Sequence, residues 1–332
     1  MRILIIRLSS IGDVILTTPV IDAWKEKYPE SVVDFLVMAQ FKDAVSGNPA
    51  IDHLLTFDKT VVRTREEIRR FALSLKVNGY DCVFDLHGKL RSRLITRYLG
   101  ARTFTYHKRS LWKSVLVALH LIRYRVDDTI VRNYFGAFGD FGLSYRGEAL
   151  KFYFSEADKA KTAPYAGRPV LARGASKNTK KWPLEYFSRL AALLHTCYGK
   201  EVVLIGGKED AADAAAIEEA NPGCCVNLAG KLSLKESGAL LSQSAFLVCA
   251  DSAPFHMARA AGIPTFVIFG PTSPGMFDFG ERDALFYAGV PCSPCSLHGD
   301  KKCPGGKGLR CMREITPEIV MEKITETIKT EG

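Results

Sequence analysis

No targeting segment is visible in the 332 residues. The opening stretch, MRILIIRLSSIGD, stays apolar for only four residues before Arg7, and Asp13 follows, so no signal-peptide core forms. The longest apolar run elsewhere, 114–122, is broken by His120. It is far shorter than the roughly 20 residues that span a bilayer. A cytoplasmic chain is therefore expected.

A disulfide framework is missing too. Nine cysteines are an odd number, and no secretory signal accompanies them. Cys82, Cys197, Cys224, Cys225 and Cys249 are scattered, and Cys82 and Cys249 lie in apolar runs where a thiol serves as a small hydrophobe. There is no complete G-x-G-x-x-G. The stretch LIGGKEDAADAA (204–215) has the look of a strand-to-helix turn without that spacing, which argues against an NAD(P)-binding oxidoreductase. No D-x-D or similar carboxylate pair stands near the motifs described below, so no catalytic metal is expected. RNP-type aromatics and zinc-finger Cys/His spacing are absent as well, and nucleic acid is not the expected partner.

What the chain does carry is positive charge. Its 45 Lys and Arg exceed 36 Asp and Glu, for a net charge of +9. The surplus is local. Residues 59–125 hold 16 Lys and Arg against Glu66, Glu67, Asp81 and Asp85, so this stretch alone is +12 and the remainder sums to −3. Such a surface suits an anionic partner, although a set of solvated helix faces gives the same arithmetic.

Short apolar runs alternate with helical periodicity along the whole chain, the pattern of βα units around parallel sheets. The spacing predicts strands over 2–7, 32–37, 53–57, 82–86 and 103–106. Helices are predicted over 14–28 and 66–76. The pattern restarts with strands over 170–173, 202–205, 225–228, 246–249 and 265–269. Between the halves, APYAGRP (163–169) reads as a linker. Two consecutive Rossmann-like, doubly wound α/β units result, 1–163 and 164–332, each with ligand sites expected beyond the carboxyl ends of its strands.

Three stretches could carry chemistry. In RLSSIGDVILTTP (7–19), Asp13 opens a helix after the first strand, where it is either a first-turn acid favoured by the helix dipole or a general base. In GASKNTKKWP (174–183), hydroxyls of Ser176 and Thr179 and the cations Lys177, Lys180 and Lys181 suit a diphosphate. In ADSAPFHMARAAGIPTFVIFGPTSP (250–274), Asp251 and Ser252 precede a helix start with Pro254 inside it and His256 on its first turn. Free backbone N–H groups there would receive a diphosphate.

Together with DLHGKLRS, KKWP and NLAGKLSL, these motifs run in order through nearly the whole chain. The set resembles the ADP-heptose:lipopolysaccharide heptosyltransferases of glycosyltransferase family 9. The resemblance implies a GT-B fold, two Rossmann-like domains facing across a cleft, with the acceptor in the N-terminal domain and the nucleotide-sugar in the C-terminal one. It casts Asp13 as the catalytic residue. Ser176, Lys180, Glu209, Asp251, Ser252, Ala253 and His256 become donor contacts. Ala253 stands where the family has glycine, and a positive φ there would strain an alanine. On the acceptor side it places Ser10, His87, Lys89, Arg91 and Arg93, with Arg63, Arg65, Arg69, Arg70, Lys108, Arg109 and Lys113 adding to the basic surface. The implied acceptor is the phosphorylated Kdo/heptose–lipid A core of lipopolysaccharide, and the donor ADP-heptose.

The implied reaction is inverting, with Asp13 taking the proton of the acceptor hydroxyl as it attacks opposite the leaving diphosphate. No cofactor is required. A family-9 transferase using another nucleotide sugar is the nearest alternative, and a non-catalytic polyanion-binding protein is a further one. Residues 110–125 (SLWKSVLVALHLIRYR) are basic and apolar and could rest on the cytoplasmic face of the inner membrane, or pack into a core. Cys292, Cys295, Cys303 and Cys311 fall within twenty residues, a set that could hold a structural zinc, form two disulfides or stay reduced.

Overall fold

A computed structural model of the chain describes residues 1–106, 126–303, 306 and 308–329. It is an α/β structure in two compact units. The first comprises Met1–Arg109 and Asp128–Tyr153, the second Ser110–Asp127 and Phe154–Gly332. The helix Glu156–Thr162 lies N-terminal to the boundary expected at 163, yet it is built into the second unit. Its Thr162 hydroxyl accepts from Gln243 at 2.9 Å, and Lys161 pairs with Glu236 at 2.6 Å.

The sheet of the first unit has five parallel strands, β1 (Arg2–Ile6), β2 (Val32–Met38), β3 (His53–Phe57), β4 (Cys82–Asp85) and β5 (Arg102–Thr105), in the order β3-β2-β1-β4-β5. The central strand β1 is almost wholly buried, with Ile3, Leu4, Ile5 and Ile6 fully enclosed. That explains why it reads as an unbroken apolar run rather than an alternating one. Trp24, Phe84 and Phe138 anchor the core of this unit, Phe84 and Phe138 stacking at 3.7 Å between centroids.

The second sheet is also wholly parallel. Its strands are β6 (Pro169–Ala172), β7 (Val202–Leu204), β8 (Cys225–Asn227), β9 (Phe246–Ala250), β10 (Thr265–Phe269) and β11 (Asp283–Tyr287), in the order β11-β10-β9-β6-β7-β8. In each sheet the strand order reverses beside the first strand, between β1 and β4 and between β6 and β9. These switch points are where doubly wound sheets open to ligands. Cys82 and Cys249 are buried in β4 and β9, and burial pushes the Cys82 thiol up to about 11.

Two elements differ from the sequence expectation. The helix expected over 14–28 is two helices, Ile11–Ile15 and Thr18–Lys27. Pro19 has no N–H to continue the ladder, and the Thr17 and Thr18 hydroxyls instead bond the Val14 and Ile15 carbonyls at 2.6 and 2.8 Å. Strand β11 is an addition. It pairs only with β10, and its half-buried DALFY gives a weak signal.

Candidate active site

The first cluster forms at the β1/β4 switch point. Ser10 caps the helix Ile11–Ile15, and its backbone N–H and hydroxyl both donate to Asp13 Oδ2, at 3.2 and 3.0 Å. Arg7, just past the end of β1, reaches the same carboxylate at 2.7 Å. Its other terminal nitrogen donates to the Leu86 carbonyl beyond β4 at 2.6 Å. The guanidinium also lies 5.5 Å from the centroid of the buried Tyr134 ring. Tyr106 packs edge-on against Tyr134 with centroids 5.4 Å apart.

Arg7 is buried whereas the Asp13 side chain keeps about a third of its surface, 31%. Burial alone would raise the Asp13 pKa. The charge of Arg7 and the Ser10 hydrogen bonds outweigh it and hold the carboxyl at about 2. Asp13 is thus an ionised, oriented, solvent-reaching acceptor. Arg7 carries no signal in the sequence, because the Leu86 carbonyl that helps to hold it lies 79 residues away.

Next to this cluster, buried Asp85 at the end of β4 organises the turn that follows. Its carboxylate accepts from the His87 and Gly88 N–H groups at 3.0 and 2.9 Å and from the Ser92 hydroxyl at 2.9 Å. His87 is buried there, while Lys89 and Arg93 are exposed and Arg91 is half-buried. Of the arginines expected to extend this surface, Arg65 bonds the Tyr98 hydroxyl at 2.9 Å, Arg63 bonds the Thr60 carbonyl and Arg69 pairs with Glu66. Lys108, Arg109, Lys113 and the expected amphipathic stretch 110–125 lie outside the described residues.

The second cluster forms at the β6/β9 switch point. Lys180 closes a tight turn, Asn178–Lys180, and its ammonium meets Asp251 Oδ2 at 2.8 Å. The Thr272 hydroxyl donates to the same oxygen at 2.8 Å. Lysine and aspartate are both buried. Ser252 caps the helix Ala253–Ala261, whose first turn leaves backbone N–H groups beside Asp251. Ala253 opens that helix at negative φ, so alanine is unstrained at the family's glycine position. His256 is buried, its ring 5.0 Å from both Phe255 and Phe277. Ser176 is exposed on the loop before Lys180.

Two neighbouring cations are committed elsewhere. Lys181 pairs with Asp210 at 3.2 Å and Asp213 at 3.6 Å, and Arg173 also binds Asp213. Glu209 is exposed, while the adjacent Asp210 is buried and accepts from the Gly207 N–H at 3.1 Å. Trp182 of the KKWP motif is fully buried. Its indole N–H is shared between the Met312 and Ile315 carbonyls, at 3.1 and 2.9 Å. The motif's tryptophan thus pins the loop that carries Lys180.

Cys292 and Cys303 lie near enough to Cys295 and Cys311 to act on their thiols. With burial as the leading cause, the Cys311 thiol is pushed up to about 12 and that of Cys295 is raised. Among the described residues, however, no three His, Cys, Asp or Glu side chains converge as a metal ligand set.

The two parallel sheets align with solved structures over nearly the whole chain. A glycosyltransferase family 9 structure from Veillonella parvula aligns with TM-score 0.81 at 18% identity, covering 99% of this chain and 97% of that one. The structure of Escherichia coli ADP-heptose lipopolysaccharide heptosyltransferase II aligns with TM-score 0.79 at 20% identity, covering 100% and 99%. The fold is therefore GT-B. Residues 68–302 match the family model Glycosyltransferase family 9 (heptosyltransferase). Lipopolysaccharide heptosyltransferase 3 of Escherichia coli is 30% identical over 282 residues, covering 79% of this chain and 81% of that protein. Lipopolysaccharide heptosyltransferase 1 of Pseudomonas aeruginosa is 28% identical over 326 residues, covering 89% and 86%. The chain belongs to glycosyltransferase family 9.

Proposed function

We propose that the protein transfers a heptose from ADP-heptose to the phosphorylated inner core of lipopolysaccharide in the cytoplasm, with inversion at the anomeric carbon. The observation that carries this reading is the pairing of two kinds of site in one family-9 chain. One is an ionised carboxylate held by Arg7 and Ser10. The other is a buried lysine–aspartate pair beside a helix N-terminus. The first suits proton abstraction, the second a diphosphate.

In this reading the acceptor hydroxyl attacks the anomeric carbon opposite the leaving ADP, and Asp13 takes its proton. Lys180, Ser176, Ser252 and the N–H groups opening the helix Ala253–Ala261 stabilise the charge that grows on the diphosphate as the sugar passes through its oxocarbenium-like state. Asp251 orients Lys180, Glu209 meets the ribose, and His256 lines the donor side. Ser10, His87, Lys89, Arg91 and Arg93 bind the acidic acceptor. No cofactor takes part in the transfer. The basic chain reaches its lipid-borne acceptor at the membrane surface; among the described residues no helix is long and apolar enough to cross a membrane.

The donor half is tested by calorimetry with ADP. Lys180→Ala is expected to weaken ADP binding at least about tenfold, the loss of one charge-assisted contact. Unchanged affinity removes Lys180 from the donor site. The cysteine segment keeps its structural zinc reading as a separate proposal. Metal analysis of protein purified without chelator is expected to give one zinc per chain, and its absence ends that reading.

A further inference from the structure

The catalytic reading leaves the cysteine-bearing segment 292–303 without a role, yet it lies against Lys180 and is linked through Pro271 and Thr272 to Asp251. At one end the Cys295 and Ser296 N–H groups both donate to the Pro271 carbonyl at 3.0 Å, and the Ser293 hydroxyl donates to the Gly270 carbonyl. Residues 270–272 leave β10 and carry Thr272, whose hydroxyl holds Asp251. At the other end, Asp300 clasps Thr179 three times. The Thr179 N–H and hydroxyl donate to the Asp300 carbonyl at 3.1 and 3.0 Å, and the Asp300 N–H donates back to the hydroxyl at 2.7 Å. Thr179 is buried and immediately precedes Lys180. Between these ends, Gly299 sits at φ +76° against the lysine stem. A Cβ there would lie 2.7 Å from Lys180 Cγ and 3.0 Å from Lys177 Cβ.

These contacts form a closed ring running from Lys180 through Asp251, Thr272 and Pro271 into the segment, then back through Gly299, Asp300 and Thr179. We infer that the segment 292–303 is a brace that positions Lys180 for the donor diphosphate, with Thr179, Gly299 and Asp300 as positioning residues. The inference rests on the reading of Lys180 as a diphosphate ligand. A lysine on a free loop gives up backbone and rotamer freedom when it engages a phosphate. Fixing its neighbour and covering its stem beforehand removes part of that cost, so the brace acts on ligand affinity as well as on folding. Glycine is required at 299 for two reasons, the positive φ and the absence of space beside the lysine.

The test is ADP affinity by calorimetry, with melting temperature recorded alongside, for the wild type, Lys180→Ala, Thr179→Val, Thr179→Ser, Gly299→Ala and Gly289→Ala. Gly289 has a similar φ of +63° with nothing within 4 Å of an added Cβ, so it reproduces the backbone strain without the lysine contact. Thr179→Val and Gly299→Ala are expected to weaken ADP binding about tenfold, while Thr179→Ser and Gly289→Ala stay within about twofold of wild type. Wild-type affinity in folded Thr179→Val and Gly299→Ala, with Lys180→Ala weakened, overturns the brace and leaves the donor site standing. Equal losses in Gly289→Ala and Gly299→Ala overturn it as well, because strain alone would then account for the effect. Unchanged affinity in Lys180→Ala removes the donor reading, and the brace with it.

Discussion

At the residue scale, Asp13 is defined by its partner. The sequence marks it as an acid opening a helix after a strand, which a helix dipole alone would explain. Arg7 separates the two readings, because a buried guanidinium 2.7 Å away fixes the carboxylate as a charge and not merely as a cap. The same contact determines which substitution tests the site. Removing the carboxylate outright strands a buried cation, typically about 3–5 kcal/mol when a buried pair is broken. Asp13 is itself partly exposed, which reduces that figure. Asp13→Asn keeps a hydrogen-bond acceptor for Arg7, so it is expected to fold and melt closer to the wild type than Asp13→Ala. Turnover is expected to fall at least about a hundredfold, the contribution of a general base. Near-normal turnover would eliminate the role. The pH dependence has a defined sign. The folded Asp13 pKa of about 2 lies below its unfolded value, so its stabilisation is complete above the ordinary carboxylate range near about 4 and is lost as pH falls towards 2. Arg7→Met removes the cation while burial remains, so the Asp13 pKa rises. The acid limb of the kcat/KM profile should then enter the range above about pH 4, where the wild type is flat. A variant profile superimposable on wild type would exclude Arg7 as a positioning residue.

At the scale of elements, the strands were legible and their edges were not. Buried central strands such as β1 and β9 write continuous apolar runs into the sequence, and ten of the strands stand where the pattern predicts them. Strand β11 escaped because an edge strand buries only alternate residues, here Ala284 and Phe286, over too few positions to outweigh its polar flanks. The helix over 14–28 read as one because periodicity does not register the hydroxyl-to-carbonyl bonds of Thr17 and Thr18. In the loop 174–183, the sequence singled out Lys180 and Trp182 by resemblance. It could not show that Lys181 is spent on Asp210 and Asp213, or that Trp182 ties the loop to residues 130 and 133 positions away. Trp182→Phe retains the ring and loses both indole hydrogen bonds. It is expected to cost about 1–3 kcal/mol for two buried carbonyls left unpaired and to weaken ADP binding together with the melting temperature. A variant that melts lower yet binds ADP as the wild type does would separate the anchor from the donor loop.

At the scale of the whole molecule, the net charge of +9 is a composite. Part of the basic stretch is neutralised or occupied locally, as in Arg69 with Glu66 and Arg65 with Tyr98, while Lys89 and Arg93 stay exposed beyond the end of β4. Lys89 and Arg93 lie on the unit that also carries Asp13, whereas in the other unit Lys180 and Lys181 pair with carboxylates. The proposed function assigns the acidic, lipid-borne acceptor to the first unit and the diphosphate to the second. Mass spectrometry of the products formed from ADP-heptose and a series of defined truncated lipopolysaccharide cores tests the central claim most directly. One core is predicted to gain the mass of a single heptose with stoichiometric release of ADP, and Asp13→Asn is predicted to form no such product. Release of ADP without a gain in acceptor mass, or no reaction with any core while another nucleotide sugar is consumed, would contradict the account.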